Sequence, residues 1–296
     1  MSDTPSAPVA ALLERFHAAK PVRAWSLIVT LYGDAVMPRG GSLWLGSLIA
    51  IMDLFGIDAG HVRTAMSRLT ADGWLDRRKV GRNSFYRLSR RGEHDFAAAT
   101  RRIYFAGEQG FDGRLWLALL GPGVDDRAAV RPTLERAGFV PLSPTAHVAA
   151  RPPADVAGLD GVFVLAADAG EGARALAATA WKLAPLADAY RGFIDRFGPL
   201  DAALDGKTLS EADALIARTL LIHQFRRSVL RDPDLPAALL PTDWPGHAAR
   251  TLAAGIYRRV VPPAERLLDR VGRRESGPLP APEPGFSRRF GPGTTP

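Results

Sequence analysis

The sequence predicts a multidomain α+β protein that begins with a helix–helix–helix–hairpin unit. Three observations carry this. Apolar residues recur at helical spacing in three consecutive segments before Gly73. Two short strand-like segments follow directly, joined by five residues of which two are basic. Farther on, short apolar runs broken by turn residues over 113–170 give way, from residue 173, to nearly continuous helical patterning. With 296 residues and domains of about 100–200 residues each, two or three domains are expected.

The chain starts with a polar, proline-containing lead, MSDTPSAP, and a helical stretch over 12–19. The first helix of the unit is expected over 22–32, with Ala24, Leu27, Ile28 and Leu31 on one face. The second follows Gly40-Gly41-Ser42, with Ser42 as its expected N-cap and Leu45, Leu48, Ile49 and Met52 as its buried stripe. The turn Phe55-Gly56-Ile57-Asp58 comes next. Gly56 permits the positive φ that ends a helix, and Asp58 offers a carboxylate to the free N–H groups of a third helix over 59–72. Ile57 and Val62 occupy the two positions of a hydrophobic staple.

That third helix divides by chemistry. Val62, Ala65, Met66 and Leu69 share one face, while His61, Arg63, Thr64, Ser67 and Arg68 cover much of the rest. Arginine can donate two hydrogen bonds to guanine, and Thr and Ser can bond base edges or phosphates. After Gly73, the run WLDRRKVGRNSFYRLS reads as strands over 74–78 and 84–88, with Trp74, Leu75, Phe85 and Leu88 facing a core. The hairpin carries Arg77, Arg78, Lys79 and Arg82, cations suited to phosphates or a minor groove. The pattern is that of a winged helix-turn-helix. Helix–helix–helix–hairpin modules also bind proteins, but helix order, capped turn and basic hairpin together favour double-stranded DNA.

A helix over 89–105 leads out of this unit. Short strands are expected at 115–120, 138–141, 146–150 and 161–167, with a helix over 125–137 between the first two. The C-terminal half is helical, with Ser210 starting a helix whose first turn is acidic. Proline-rich turns lie at 232–236 and 241–245. The final stretch, GRRESGPLPAPEPGFSRRFGPGTTP, lacks apolar periodicity and is expected to be a disordered tail.

Composition narrows the function classes. The net charge of +7 favours an anionic partner. The absence of cysteine excludes disulfides, thiolate metal sites and cysteine nucleophiles. No apolar run reaches the roughly 18 residues of a membrane span, and residues 1–20 lack the apolar core of a signal peptide, so the expected address is the cytoplasm. An enzyme, metal site or cofactor is not expected. The six histidines lack paired metal spacing, and no G-x-S-x-G or Walker loop occurs; Gly121-Pro122-Gly123 is a turn. The rival reading is a metal-dependent nuclease using Asp125 and Asp126 in the middle region, although adjacent acids at a helix start are more simply caps. Asp34 is expected to cap or pair locally within the DNA-binding unit.

An effector site is sought in the C-terminal half. Trp181, Lys182, Tyr190, Arg191, Arg226 and Arg227 combine aromatic walls with cations, and Trp244 follows in a proline-rich turn. Against this, Tyr190, Phe193, Ile194 and Phe197 also fit one apolar helical face.

The run RAWSLIVTLYGDAVMPRGGSLWLGSLIAIMDLFGIDAGHVRTAMSRLTADGWL, with GRNSFYRLSRRG after it, resembles the PaaX-type repressors of phenylacetate catabolism. LLIHQFRRSVLRDPDLPAALLPTDWPGHAARTLAAGIYRRV is similar to that family's C-terminal region. The resemblance spans residues 20–262. It implies a winged helix-turn-helix over 20–92, a linker helix over 93–112, a ferredoxin-like α+β domain over 113–183, a helical domain over 184–270 and a tail over 271–296. It further implies a homodimer on an operator with inverted half-sites, released by an aryl-CoA thioester such as phenylacetyl-CoA.

Overall fold

The structure, a computed structural model, describes residues 4–19, 24–105, 110–124, 126–153 and 160–291. It mixes helices and sheets and divides into two compact units. One gathers residues 1–107, 191–230 and 247–296; the other gathers 108–190 and 231–246.

The first unit opens with α1 (Ala7–Ala18) and α2 (Ala24–Leu31). A π-type turn, Tyr32–Val36, and a 3-10 turn, Met37–Arg39, lead to a short strand β1 (Ser42–Trp44). Then come α3 (Leu45–Asp53), α4 (Ala59–Ala71), the hairpin β2 (Leu75–Val80) and β3 (Asn83–Leu88), and α5 (Arg90–Tyr104). Residues 22 and 23 of the expected first helix lie outside the described residues. The sheet order is β1-β3-β2, antiparallel throughout.

Both turns flanking α4 are closed by the same device. Ile57 N–H donates to Met52 O and Gly56 N–H to Asp53 O, with Gly56 at φ 66°. Trp74 N–H donates to Leu69 O and Gly73 N–H to Thr70 O, with Gly73 at φ 73°. These paired bonds satisfy the free carbonyls at a helix end, and the left-handed residue they need falls on glycine each time. The helix is thereby held at fixed angles on both sides.

Two details of α3 differ from expectation. Ser42 does not cap it. Ser42 sits in β1 and its hydroxyl donates to Glu275 at 2.8 Å, while Trp44 stands at the N-cap without a side-chain bond. The buried face is Ser47, Leu48, Ile51 and Met52, rotated from the expected stripe. Ser47 is buried because its hydroxyl donates to Val271 O at 2.6 Å and accepts from Arg273 N at 3.1 Å.

The second unit starts with β4 (Arg114–Leu120), α6 (Arg127–Arg136), β5 (Val140–Ser143), β6 (Ala146–Ala149), β7 (Val162–Asp168) and α7 (Ala173–Ala180). Its antiparallel sheet has the order β5-β6-β4-β7. Ala118, Leu120, Leu134, Phe139 and Ala149 form its core. Alternate residues along β4 supply this core, as period-two side-chain alternation requires.

Next come α8 (Leu183–Ala203), α9 (Glu211–Val229), α10 (Gly246–Val271) and a two-residue hairpin of β8 (Arg273–Arg274) and β9 (Gly277–Pro278). Ser210 caps α9 by accepting from Asp213 N at 3.1 Å. Of the compact units, the first holds both α9 and α10. α9 packs against α1, α2 and α5. By contact, α9 and α10 group with the N-terminal elements, and the helix expected to lead out of the DNA-binding unit is α5, which ends at Tyr104. Helix α9 is buried along almost its whole length, so its apolar surface is covered by the N-terminal helices.

The expected tail is also corrected. Residues 272–291 are packed rather than disordered: Leu279, Arg289 and Phe290 are buried. The Phe290 ring meets Tyr104 and Tyr257 at centroid distances of 5.3 and 5.2 Å. Glu283 N donates to Pro38 O at 2.8 Å. The segment uses single anchors separated by proline turns, which leave no periodic trace. Residues 292–296 lie outside the described residues.

Those anchors complete a buried charge network. Asp34 does not pair locally, as expected, but with distant residues. It accepts from Arg218 Nε at 2.6 Å, Arg289 Nη1 at 3.1 Å, Tyr104 Oη at 2.6 Å and Tyr257 Oη at 2.7 Å. Burial alone would raise its pKa, but Arg218 and Arg289, with the two hydroxyls, hold it below the usual carboxylate range. Arg218 continues to Glu265, which also takes Arg39 at 2.7 Å, and Arg39 pairs with Asp269. Three cations meet three anions, the condition under which buried charges are tolerated.

Candidate nucleic-acid interface

Helix α4 carries the candidate surface. Asp58 accepts from the N–H groups of Gly60 at 2.8 Å and His61 at 2.9 Å. Its second oxygen bonds His61 Nδ1 at 2.6 Å. The His61 amide and ring, with the Gly60 amide, hold the Asp58 carboxyl below its ordinary range. Val62, Ala65, Met66 and Leu69 are buried. His61, Arg63, Thr64, Ser67 and Arg68 are all exposed.

Their local partners differ. Thr64 Oγ1 donates to Gly60 O at 3.0 Å, which keeps its lone pairs open to an outside donor. Arg68 Nε stands 3.6 Å from Asp72, an exposed pair that water and salt weaken easily. Arg63 forms no ion pair among the described residues.

The hairpin packs beside α4 through β2. Strands β2 and β3 close over Gly81-Arg82, with Val80 opposite Asn83. Gly81 at φ 57° supplies the positive φ that a two-residue turn needs. Leu75, Phe85, Tyr86 and Leu88 are buried, whereas Arg77, Arg78, Lys79 and Arg82 are exposed. Arg77 donates to Ser84 Oγ from Nε at 3.2 Å and Nη2 at 2.9 Å, so it lies along the hairpin. Among the described residues no carboxylate pairs with Arg78, Lys79 or Arg82.

Sequence reasoning passed over the continuation of this basic surface. Arg87, Arg90 and Arg91 are exposed at the end of β3 and the start of α5. Arg87 pairs loosely with Glu93 at 3.4 Å, and Arg91 lies 5.8 Å from the Trp74 ring centre. The signal was the run RLSRRG.

The six effector candidates fall in both compact units. Trp181, Lys182 and Tyr190 belong to the second compact unit, and Arg191, Arg226 and Arg227 to the first. Trp181 is half-buried at the end of α7, and Lys182 is exposed at φ 50°. Tyr190 is a core residue; its hydroxyl donates to Asp232 at 2.7 Å and its ring meets Trp244 edge-on at 5.8 Å. Phe193 and Phe197 are buried on the same helix and Ile194 is half-buried. Arg191 and Arg227 are exposed, while Arg226 is half-buried. Of the nuclease pair, Asp126 caps α6 by accepting from Ala129 N at 3.0 Å, and Asp125 lies outside the described residues.

The chain matches the family model of the PaaX-like protein over residues 23–92, and that of the PaaX-like protein C-terminal domain over residues 181–270. It is similar to the transcriptional repressor PaaX of Escherichia coli (strain K12), with 39% identity over 290 residues, covering 92% of each chain. Among solved structures it is similar to the uncharacterized protein Rv0674 from Mycobacterium tuberculosis, with a TM-score of 0.50 and 22% identity over 87% of this chain and 96% of that one. That last likeness is one of fold. No helix of the described residues is long and apolar enough to cross a membrane. With α2 through β3 inside one match, α9 inside the other and near-complete alignment to a relative of this identity, the chain belongs to the PaaX-like family.

Proposed function

We propose that the chain is a DNA-binding transcriptional repressor of an aromatic-acid, phenylacetate-type catabolic operon. Residues 24–88 act as a winged helix-turn-helix, with α4 in the major groove and β2–β3 as the wing. One observation carries the reading: a capped helix turns five polar side chains outward beside a hairpin whose Arg78, Lys79 and Arg82 have no counter-ion among the described residues. Backbone phosphates are the natural complement of such cations, and base edges of such a helix. The 39% identical relative, named a transcriptional repressor, supports it.

The operator-bound form is a homodimer. One winged helix buries little surface, and two half-sites about 34–36 Å apart multiply affinity. The strand order β5-β6-β4-β7, with α6 crossing between β4 and β5, supports a ferredoxin-like reading of the middle region. The inducer is an aryl-CoA thioester such as phenylacetyl-CoA, which lifts repression by binding the DNA-free arrangement more tightly.

Genome-wide mapping of bound sites, followed by fluorescence anisotropy on a recovered fragment, tests the reading. Sites upstream of aromatic-acid catabolic genes support it; no fragment retained at modest salt overturns it. Linkage requires operator DNA to weaken effector binding by the factor with which effector weakens DNA binding, so equal effector affinity with and without DNA excludes the release mechanism.

A further inference from the structure

Within the first compact unit, α2, α5 and α9 line a half-open cavity of about 210 Å³. An engineered apolar cavity of about 150 Å³ holds benzene, so this space takes a ring and a few further heavy atoms. Its wall is largely apolar, from Val29, Trp74, Phe96, Ile103, Ile222 and Leu230.

One lining cation is out of balance. Arg226 spends Nη2 on Ser26, bonding its carbonyl at 3.0 Å and its hydroxyl at 2.8 Å. Its Nε is buried without a partner, and no carboxylate pairs with it among the described residues. Burial and neighbouring Arg227 both disfavour its charged form. Asp34 also lines the cavity, but Arg218 and Arg289 already neutralise it. Thr30 is engaged too, with Ser26 O and His223 Nδ1. Asp95, exposed on α5, lines the cavity as well and faces water. An acceptor oxygen beside Arg226 would satisfy its buried Nε.

The cavity also touches the α4 junction. Trp74 lines it and makes the bond to Leu69 O that closes α4. Phe96 meets Trp74 edge-on at 6.2 Å and turns a ring edge to Gly33, where an added Cβ would sit 2.4 Å from it. A ligand that moves either ring moves the junction of α4 and β2.

We propose that this cavity is a regulatory binding site for a compact, ring-sized apolar ligand whose carboxylate or carbonyl oxygen is held by Arg226. The link to α4 rests on the DNA-binding reading above; binding in the cavity does not. A free aryl carboxylate and the acyl end of a thioester share this chemistry.

Calorimetry of the full chain with phenylacetate, phenylacetyl-CoA, coenzyme A and toluene tests it. Binding by the acid or the thioester is expected, with coenzyme A alone inert. Arg226→Gln should weaken the oxygen-bearing probes about tenfold or more and leave toluene unchanged. Ala99→Phe, which fills the space from α5, should abolish binding of both classes, and the fluorotryptophan resonance assigned to Trp74 should shift only when the unfilled site is occupied. Binding by the acid alone, or by the thioester alone, supports the site and identifies the source. No binding by either, or binding unchanged in Ala99→Phe, overturns it. If a saturating probe leaves promoter retention unchanged, the link to α4 falls. If the ligand-free chain retains no promoter, the DNA reading falls, and the titration still judges the cavity.

Discussion

Arg39, Arg218 and Arg289 lie in the same compact unit as Arg63, Arg78, Lys79 and Arg82, yet the two sets are used in opposite ways. The first three are buried, each against a carboxylate and a backbone carbonyl. The second four are exposed, with no carboxylate partner among the described residues. A buried guanidinium must find its counter-charge inside the chain, because desolvation is costly. An exposed one can wait for a partner from outside. Arg226 falls between the sets, half-buried with no carboxylate partner among the described residues, and for that reason marks a cavity rather than a core.

The contrast can be broken most forcefully from the buried side. Arg218→Met or Asp34→Ala should each cost about 3–5 kcal/mol of folding stability, since either leaves a buried charge unpaired. Urea unfolding measures this; a loss below 1 kcal/mol, an ordinary surface effect, would dissolve the distinction between the two sets.

Acid should reveal a second buried group. Burial, Arg226 and Arg227 push His223 down to about 3 from its ordinary 6.5. The unfolded chain therefore takes up a proton below pH 6.5 that the folded chain refuses until about pH 3. Stability from this group is complete above that window and declines as pH falls through it. His223→Gln should flatten the fall in melting temperature between those limits. A slope identical to wild type would mean that His223 is protonated in the folded chain.

The exposed set gives smaller effects, read on DNA rather than on folding. Arg63→Ala should cost about 1–3 kcal/mol of operator affinity and relax preference at one base position. Melting temperature should not move. Smallest is Arg82→Ala, expected to weaken all sequences alike and to lower the salt slope by about one. Binding unchanged by both substitutions would displace the interface from α4 and its hairpin.

How much of this was legible depends on whether the physics is local. The α4 face, its Asp58 cap and the Gly56 and Gly73 stops were readable because each depends on residues within one or two turns. The basic hairpin was readable because charge and turn residues are contiguous. Ser42 misled because a cap-like serine before a helix reads the same when a three-residue strand intervenes. Asp34 misled because its partners lie 70 to 255 positions away. The C-terminal anchors carried no period at all: one arginine and one phenylalanine among prolines look like solvent-swollen chain until their receptors are known. The effector candidates were chosen as aromatic residues and cations from two helical stretches, a criterion that says nothing of which compact unit each joins.

The bond from Arg289 to Asp34 spans 255 positions, and that has a consequence during synthesis. A ribosome adding about 5–20 residues per second releases the α4 segment well before Arg289 exists. Until then Asp34 lacks one of its two guanidinium partners, and the Phe290 slot between Tyr104 and Tyr257 stands open. A message broken off near codon 272 therefore yields a product with a destabilised reading head rather than a smaller working regulator.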